Sequence, residues 1–271
     1  CGCRCPELRD DLGHGIPRRI AQVTPRLGQQ GEAYVGHDHR LIAMSDAARR
    51  TPTPGPIVAF FDVDNTLMRG ASVFYVGREA WRRRLISFRD IAVFAWHQFR
   101  FLAVGENRQH LAHAKERALG LVGGHTEEAL VMLANDIYEK DILPNLWPET
   151  VALTREHLAQ GHEVWLITAT PEIVAQVIAE RLGLTGALGT KVQALEGVFT
   201  GELDGPVLHG DEKATVARLF AEQKRADLAQ CWAYSDSSND IPLLTMVGNR
   251  VVVNPDAKLL AHANTHGWRV P

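Results

Sequence analysis

Residues 57–66 read IVAFFDVDNT: five apolar residues from Ile57 to Phe61, two aspartates alternating about Val63, then Asn65 and Thr66. A short apolar run bounded by turn-forming residues suits a strand buried on both faces. Continued strand geometry past Phe61 would aim Asp62 and Asp64 to one side, close together, at the mouth of an apolar core. Three later runs are of the same type, Val164 to Ile167, Cys231 to Tyr234 and Arg250 to Val253. Helical segments fall between them. Pro148 with Gly161, and Pro171 with Gly183, place proline just inside the start and glycine just past the end of two helices. In the second, Ile173, Val174, Val177, Ile178 and Leu182 make one apolar face. Asp211 reads as the N-cap of a further helix, with Val216, Leu219 and Phe220 on its buried side. This alternation predicts an α/β fold, a Rossmann-like doubly wound parallel sheet, with a small hairpin between Gly189 and Gly201.

Between the first two strands lie about a hundred residues without strand-like alternation, and helical patterning covers 71–140. That excursion predicts a helical cap inserted into a core made of 56–70 and 141–271. Residues 1–55 have no sustained period and end in the turn-rich Thr51-Pro52-Thr53-Pro54-Gly55, so a disordered or non-native tail is expected there. Met44, which opens the polar stretch leading into the first strand, is the expected natural start.

Composition narrows the function. With 29 Lys and Arg against 32 Asp and Glu, the net charge of −3 provides no bulk basic field for a nucleic-acid backbone. Three of the four cysteines, Cys1, Cys3 and Cys5, crowd the first five residues and only Cys231 follows, which is neither a disulfide framework nor a zinc spacing. A reducing cytoplasm is the expected setting. The greasiest segment, Leu85 to Val104, is broken by Arg89, Asp90, His97 and Arg100, so no membrane span is predicted. The histidines form no ligand spacing; His209, near Lys213, is the one worth following.

In an open parallel sheet, ligands sit beyond the carboxyl ends of the strands. Those ends carry Asp62-Val63-Asp64-Asn65-Thr66, Thr168-Ala169-Thr170 and Ser235-Asp236-Ser237-Ser238-Asn239-Asp240. Asp62, Asp64, Asp236 and Asp240 brought together would repel, and a hard divalent cation such as Mg²⁺ is the economical remedy. Lys213 sits in a helix first turn, where the dipole disfavours a cation by roughly 0.3–1 kcal/mol unless an anion is bound there. Free helix N–H groups after Thr170-Pro171 would be further anion donors.

The strings FFDVDNTL, LITATP, HGDEKATV and YSDSSNDIPLL resemble, in order and at sensible spacing, the four motifs of the haloacid dehalogenase superfamily of phosphohydrolases. The resemblance is strongest to the phosphoserine-phosphatase-like branch, subfamily IB, with a helical cap of the C1 type. It implies a Mg²⁺-dependent phosphomonoester hydrolase. Asp62 would be the nucleophile that becomes an aspartyl phosphate, and Asp64 the general acid and base. Thr168, the Ala169 N–H and Lys213 would hold the phosphoryl oxygens. Asp62, the Asp64 carbonyl and Asp236 would bind the metal, supported by Asn239 and Asp240. A phosphotransferase using the same intermediate and a non-catalytic phospholigand-binding regulator are the alternatives; binding alone needs neither nucleophile nor acid.

Phosphoserine phosphatases of that branch carry a Glu shortly after the first motif, and Ala71 stands at the matching position, so a different small phosphorylated substrate is expected. Arg78, Arg82, Arg83, Arg84 and Arg117 are candidate anion ligands from the cap. Eight aromatic residues crowd the stretch from Phe74 to Phe101. The spacing Phe74, Trp81, Phe88 suits a buried helical seam; an apolar substrate tail or a peripheral membrane contact is the functional reading.

Overall fold

A computed structural model describes residues 55–84 and 123–270. Expectations for the N-terminal tail, for Arg117 and for the aromatic residues from Phe88 to Phe101 lie outside the described residues. Five parallel strands form the central sheet: β1 (Val58–Phe61), β2 (Glu163–Pro171), β3 (Gly186–Thr190), β6 (Trp232–Ser235) and β7 (Asn249–Val252), in spatial order β3-β2-β1-β6-β7. β4 (Val192–Leu195) and β5 (Val198–Leu203) make the expected antiparallel hairpin.

The chain builds outward from β1 in one direction through β2 and β3, then returns to its other side for β6 and β7. The topological switch point therefore lies between β1 and β6, where ligands of such sheets bind. There the Asp62 N–H donates to the Tyr234 carbonyl at 3.0 Å, stitching the two strand ends together.

All four β1 side chains are fully buried. Ala59 and Phe61 enter one apolar cluster with Leu166, Val174, Ile178 and Tyr234, while Val58 and Phe60 enter another with Ala217, Leu243 and Leu259. Period-two alternation thus feeds two cores, one on each face of the sheet. α3 (Pro148–Ala159) and α4 (Glu172–Leu182) cover the first core. α5 (Asp211–Lys224), α6 (Ile241–Met246) and α7 (Ala257–His266) cover the second. Proline opens α3, and Gly183 closes α4 in the left-handed conformation at φ 69°, as the sequence pattern required. Buried His157 bonds the Tyr234 hydroxyl at 2.8 Å under the β1–β6 junction, where Phe61 stacks on Tyr234.

Of the stretch 71–140, α1 (Ser72–Arg82) and α2 (Glu127–Ile137) are described, followed by one π-helical turn at Tyr138–Ile142. Three expectations need correction. Phe74 and Trp81 do not form a buried seam: they are 65% and 47% exposed, and α1 buries Ser72, Glu79 and Ala80 instead. α5 is capped by Gly210 rather than Asp211, because the turn needs φ 61° and ψ −124°, a conformation in which a Cβ is strained. Leu219 is 56% exposed, and α5 buries Lys213, Ala217 and Ala221 on a face one step away. Strand β3, with sequence GALGT, went unread, because its glycines break any apolar run.

Candidate active site

The loop leaving β1 folds tightly. Asn65 takes φ 55°, its N–H donates to the Gly70 carbonyl, and its side chain accepts from the Gly70 N–H. Asn tolerates the left-handed region because its short amide bonds locally. This turn drops Thr66 back under the strand end, where its hydroxyl lies 3.4 Å from Asp62 Oδ2 and 3.2 Å from Asp236 Oδ1. Strands β1 and β6 thus bring two carboxylates within reach of a single hydroxyl, although 174 residues separate them.

Lys213 reaches the same place from α5. Its Nζ donates to Asp62 Oδ1 at 2.5 Å and to Asp240 Oδ2 at 2.7 Å, with all three residues buried. Asp240 is held in turn by the Ser235 hydroxyl at 2.8 Å. Burial alone would lower the Lys213 ammonium, but the flanking Asp62 and Asp240 carboxylates outweigh it and raise it. The Asp62 carboxyl is raised to about 7 by burial, with Lys213 pulling down and Asp240 and Asp64 pushing up. Asp236 is raised to about 6, again chiefly by burial. Three acids face one ammonium, so the junction holds surplus negative charge.

That surplus suits a bound cation. Among the described residues, no group of three or more His, Cys, Asp or Glu side chains is arranged to hold a metal. The Asp62 and Asp236 carboxylates, which share the Thr66 hydroxyl, are a pair that could hold one. Mg²⁺ keeps several waters and needs no more than that.

Asp64 is half-buried, and its Oδ1 accepts the Ser72 N–H at 2.8 Å. At the end of β2, buried Thr168 receives the Thr170 N–H and donates to the Thr170 hydroxyl, both at 3.2 Å. The Ala169 carbonyl is held at 2.8 Å by the Thr190 hydroxyl, from the unforeseen strand β3. Asn239 is exposed, and its amide bonds Ser237 rather than a carboxylate. His209 is half-buried just ahead of α5. Sequence reasoning missed Ser72, Thr190 and Ser235 as contributors. Thr190 and Ser235 share a signal, a hydroxyl as the last residue of a strand, whereas Ser72 opens helix α1 and carries none.

Three of the arginines considered as anion ligands are engaged with acids. Arg78 pairs with Asp141, while Arg82 and Arg83 both pair with buried Glu79. Burial of Glu79 thus has a simple cause: two guanidinium groups satisfy its charge.

Residues 59–245 match the family model of haloacid dehalogenase-like hydrolases, and the chain belongs to that family. It is 43% identical over 230 residues to phosphoserine phosphatase SerB1 of Mycobacterium tuberculosis, covering 84% of this chain and 75% of the relative. It is 28% identical over 228 residues to a histidinol-phosphatase of Neisseria meningitidis, covering 79% of this chain and 97% of that one. A crystal structure of a protein with unknown function from Bordetella pertussis superposes with a TM-score of 0.71 at 26% identity, over 80% of this chain and 98% of that one. Among the described residues, no helix is long and apolar enough to cross a membrane.

Proposed function

We propose that the protein is a Mg²⁺-dependent phosphomonoester hydrolase that works through an aspartyl phosphate on Asp62. The observation that carries the reading is the buried junction itself: one lysine bridges two carboxylates at the switch point, with a third acid, Asp64, beside Asp62. Two buried acids on one lysine, with half-buried Asp64 and Asp236 beside them, are costly to stability, which favours a functional role for the cluster.

An Asp62 oxygen attacks phosphorus in line. The bond to the leaving oxygen breaks, and that oxygen takes a proton from the Asp64 carboxyl. Asp64, now a carboxylate, removes a proton from water as the water oxygen attacks the same phosphorus. The bond to Asp62 breaks, inorganic phosphate departs, and both acids return to their first state. Throughout, Thr168, the Ala169 N–H and the Lys213 ammonium face the phosphoryl oxygens, where preorganised donors act most strongly. Mg²⁺, held by Asp62, Asp236 and the Asp64 carbonyl, would supply positive charge against the phosphoryl group and keep Asp62 ionised.

The proposed substrate is not phosphoserine. Ala71, which offers no acid to a substrate ammonium, immediately precedes Ser72 beside Asp64. Val73, Phe74 and Trp81 are exposed on α1, whose first turn adjoins the site, and they favour a leaving group with an apolar portion. The same face supports the peripheral membrane contact as an additional role. Cys231, a free buried thiol, is consistent with a reducing cytoplasm as the setting. The core of 56–70 and 141–271 with a cap over 71–140 remains the proposed domain division.

Phosphate release from a panel of monoesters, including phosphoserine and lysophosphatidate, with Mg²⁺ or EDTA, tests this reading. Turnover that requires Mg²⁺ and disappears in Asp62→Asn is expected, with phosphoserine ranking low. Silence across the panel from folded protein would overturn the hydrolase, and a clear preference for phosphoserine would overturn the substrate assignment.

A further inference from the structure

We infer that Ser72 is a positioning residue: from the first turn of α1 it holds the acid Asp64 and, through Thr170, the phosphate-facing segment Thr168–Thr170. The inference rests on the phosphatase reading, because it assigns Ser72 a role in aligning that reading's acid with its phosphoryl-binding groups.

Ser72 is fully buried. It makes two polar contacts that point in different directions. Its N–H donates to Asp64 Oδ1 at 2.8 Å, and its hydroxyl lies 2.5 Å from the Thr170 hydroxyl, 98 residues away in sequence. Thr170 is itself buried, and its backbone and side chain both bond the Thr168 hydroxyl. The four residues form one chain, Asp64 to Ser72 to Thr170 to Thr168, running from the carboxyl end of β1 to that of β2. None of the links is made by a long side chain, so little rotamer freedom is available to absorb a displacement.

The local chemistry explains why the link falls at this residue. Helix α1 begins after Ala71, which has no side-chain oxygen to accept the helix's first N–H groups. Asp64, eight residues before Ser72, accepts one of them in its place. The acid is therefore anchored to the helix start, and the helix start is anchored by the Ser72 hydroxyl to Thr170. General acid catalysis requires the carboxyl to reach the leaving oxygen while Thr168 and the Ala169 N–H face the other oxygens of the same phosphoryl group. A misplacement of about 1 Å between such groups is enough to cost on the order of a hundredfold in rate. Without the hydroxyl bridge, the Ser72 peptide and Asp64 keep their mutual bond but lose their fixed relation to β2.

The inference makes a prediction that a purely structural role does not. A leaving group that departs readily as an anion needs little from the acid, whereas a poor one depends on it. We would compare kcat/KM for p-nitrophenyl phosphate and for phenyl phosphate in the full chain with Mg²⁺, in wild type, Ser72→Ala, Thr170→Val, Thr170→Ser and the Ser72→Ala/Thr170→Val double variant. Asp64→Asn sets the full size of the acid effect.

Ser72→Ala is expected to lose about tenfold more on phenyl phosphate than on p-nitrophenyl phosphate, within the 10²–10⁴-fold that a general acid supplies. Thr170→Val, which also removes the acceptor of the Thr168 hydroxyl, is expected to lose at least as much, Thr170→Ser to restore most of the loss, and the double variant to be little worse than Thr170→Val, because the Ser72–Thr170 bond is already broken there. Should Ser72→Ala not fold, Thr170→Val carries the test from the other side. Equal losses on both esters, or none, with wild type active and Asp62→Asn dead, would overturn the role of Ser72 and leave the phosphatase standing. A wild type that turns over neither ester would remove both.

Discussion

Lys213 illustrates how a residue that is unfavourable locally becomes central to a site. In the first turn of α5 it opposes the helix dipole, and burial opposes its charge, yet contacts of 2.5 and 2.7 Å to Asp62 and Asp240 keep it charged. Removing it leaves two buried carboxylates without their cation. Lys213→Met is therefore expected to abolish turnover and to lower unfolding free energy by about 3 kcal/mol at pH 8. Because the stranded carboxyls can take up protons, the deficit should shrink at pH 5. Urea denaturation of metal-free protein at the two pH values checks this, and an equal deficit at both would contradict the account. Asp62, Asp64, Asp236 and Lys213 stand out in the sequence because acids at strand ends and a lysine at a helix start are costly there. Ser72 and Thr190 were not, since a serine or threonine in a turn has ample ordinary explanations.

Among the elements, β3 shows why short-range patterning falls short. Its sequence reads as a turn, but the glycines are there for space. A Cβ at Gly189 would lie 2.4 Å from the Glu172 Cα, and one at Gly186 would lie 2.6 Å from the Trp165 ring. The edge strand thus passes hard against the start of α4, which lets Thr190 reach the Ala169 carbonyl. Gly189→Ala should cost about 2 kcal/mol, in the range for overpacking against backbone, and should lower kcat by disturbing Ala169. A melting temperature and kcat matching wild type would show that the approach is looser than described. Helices α3 and α4 were readable for the opposite reason: their proline and glycine boundaries and their apolar stripes are local features.

Across the whole molecule, opposing titrations shape stability. Asp62 and Asp236, raised to about 7 and about 6 from an ordinary 3.8, bind protons more tightly folded than unfolded. Their contribution is complete below about pH 4 and is lost as pH rises through 6 and 7. His157 works in the other sense: burial, then neighbouring His162, lowers it to about 4 from 6.5. Its contribution is present above about pH 6.5 and is lost as pH falls through 4. Between pH 4 and 6 the two aspartates outweigh the single histidine, so metal-free protein should be most stable near pH 4 and lose stability as pH rises towards 7. Added Mg²⁺ substitutes for the protons on the two aspartates, so its stabilising increment should grow between pH 5 and pH 8. In Asp236→Asn that increment should largely vanish, while the metal-free variant gains about 1 kcal/mol over wild type at pH 7.5, allowing for the half-exposed position of the carboxyl. Thermal melts across pH with Mg²⁺ or EDTA measure all of this, and an increment independent of pH would argue against the carboxylate site.

The sequence by itself determined that apolar runs become parallel strands, that helices alternate with them, and that acids crowd the strand ends. Each follows from periodicity and turn chemistry within a dozen or so residues. Only the tertiary structure decided which groups meet: Lys213 with Asp62 across 151 positions, and Ser72 with Thr170 across 98. Those meetings depend on the strand order β3-β2-β1-β6-β7 and its register, and hence on packing both faces of one sheet at once, which no local stretch of the chain encodes.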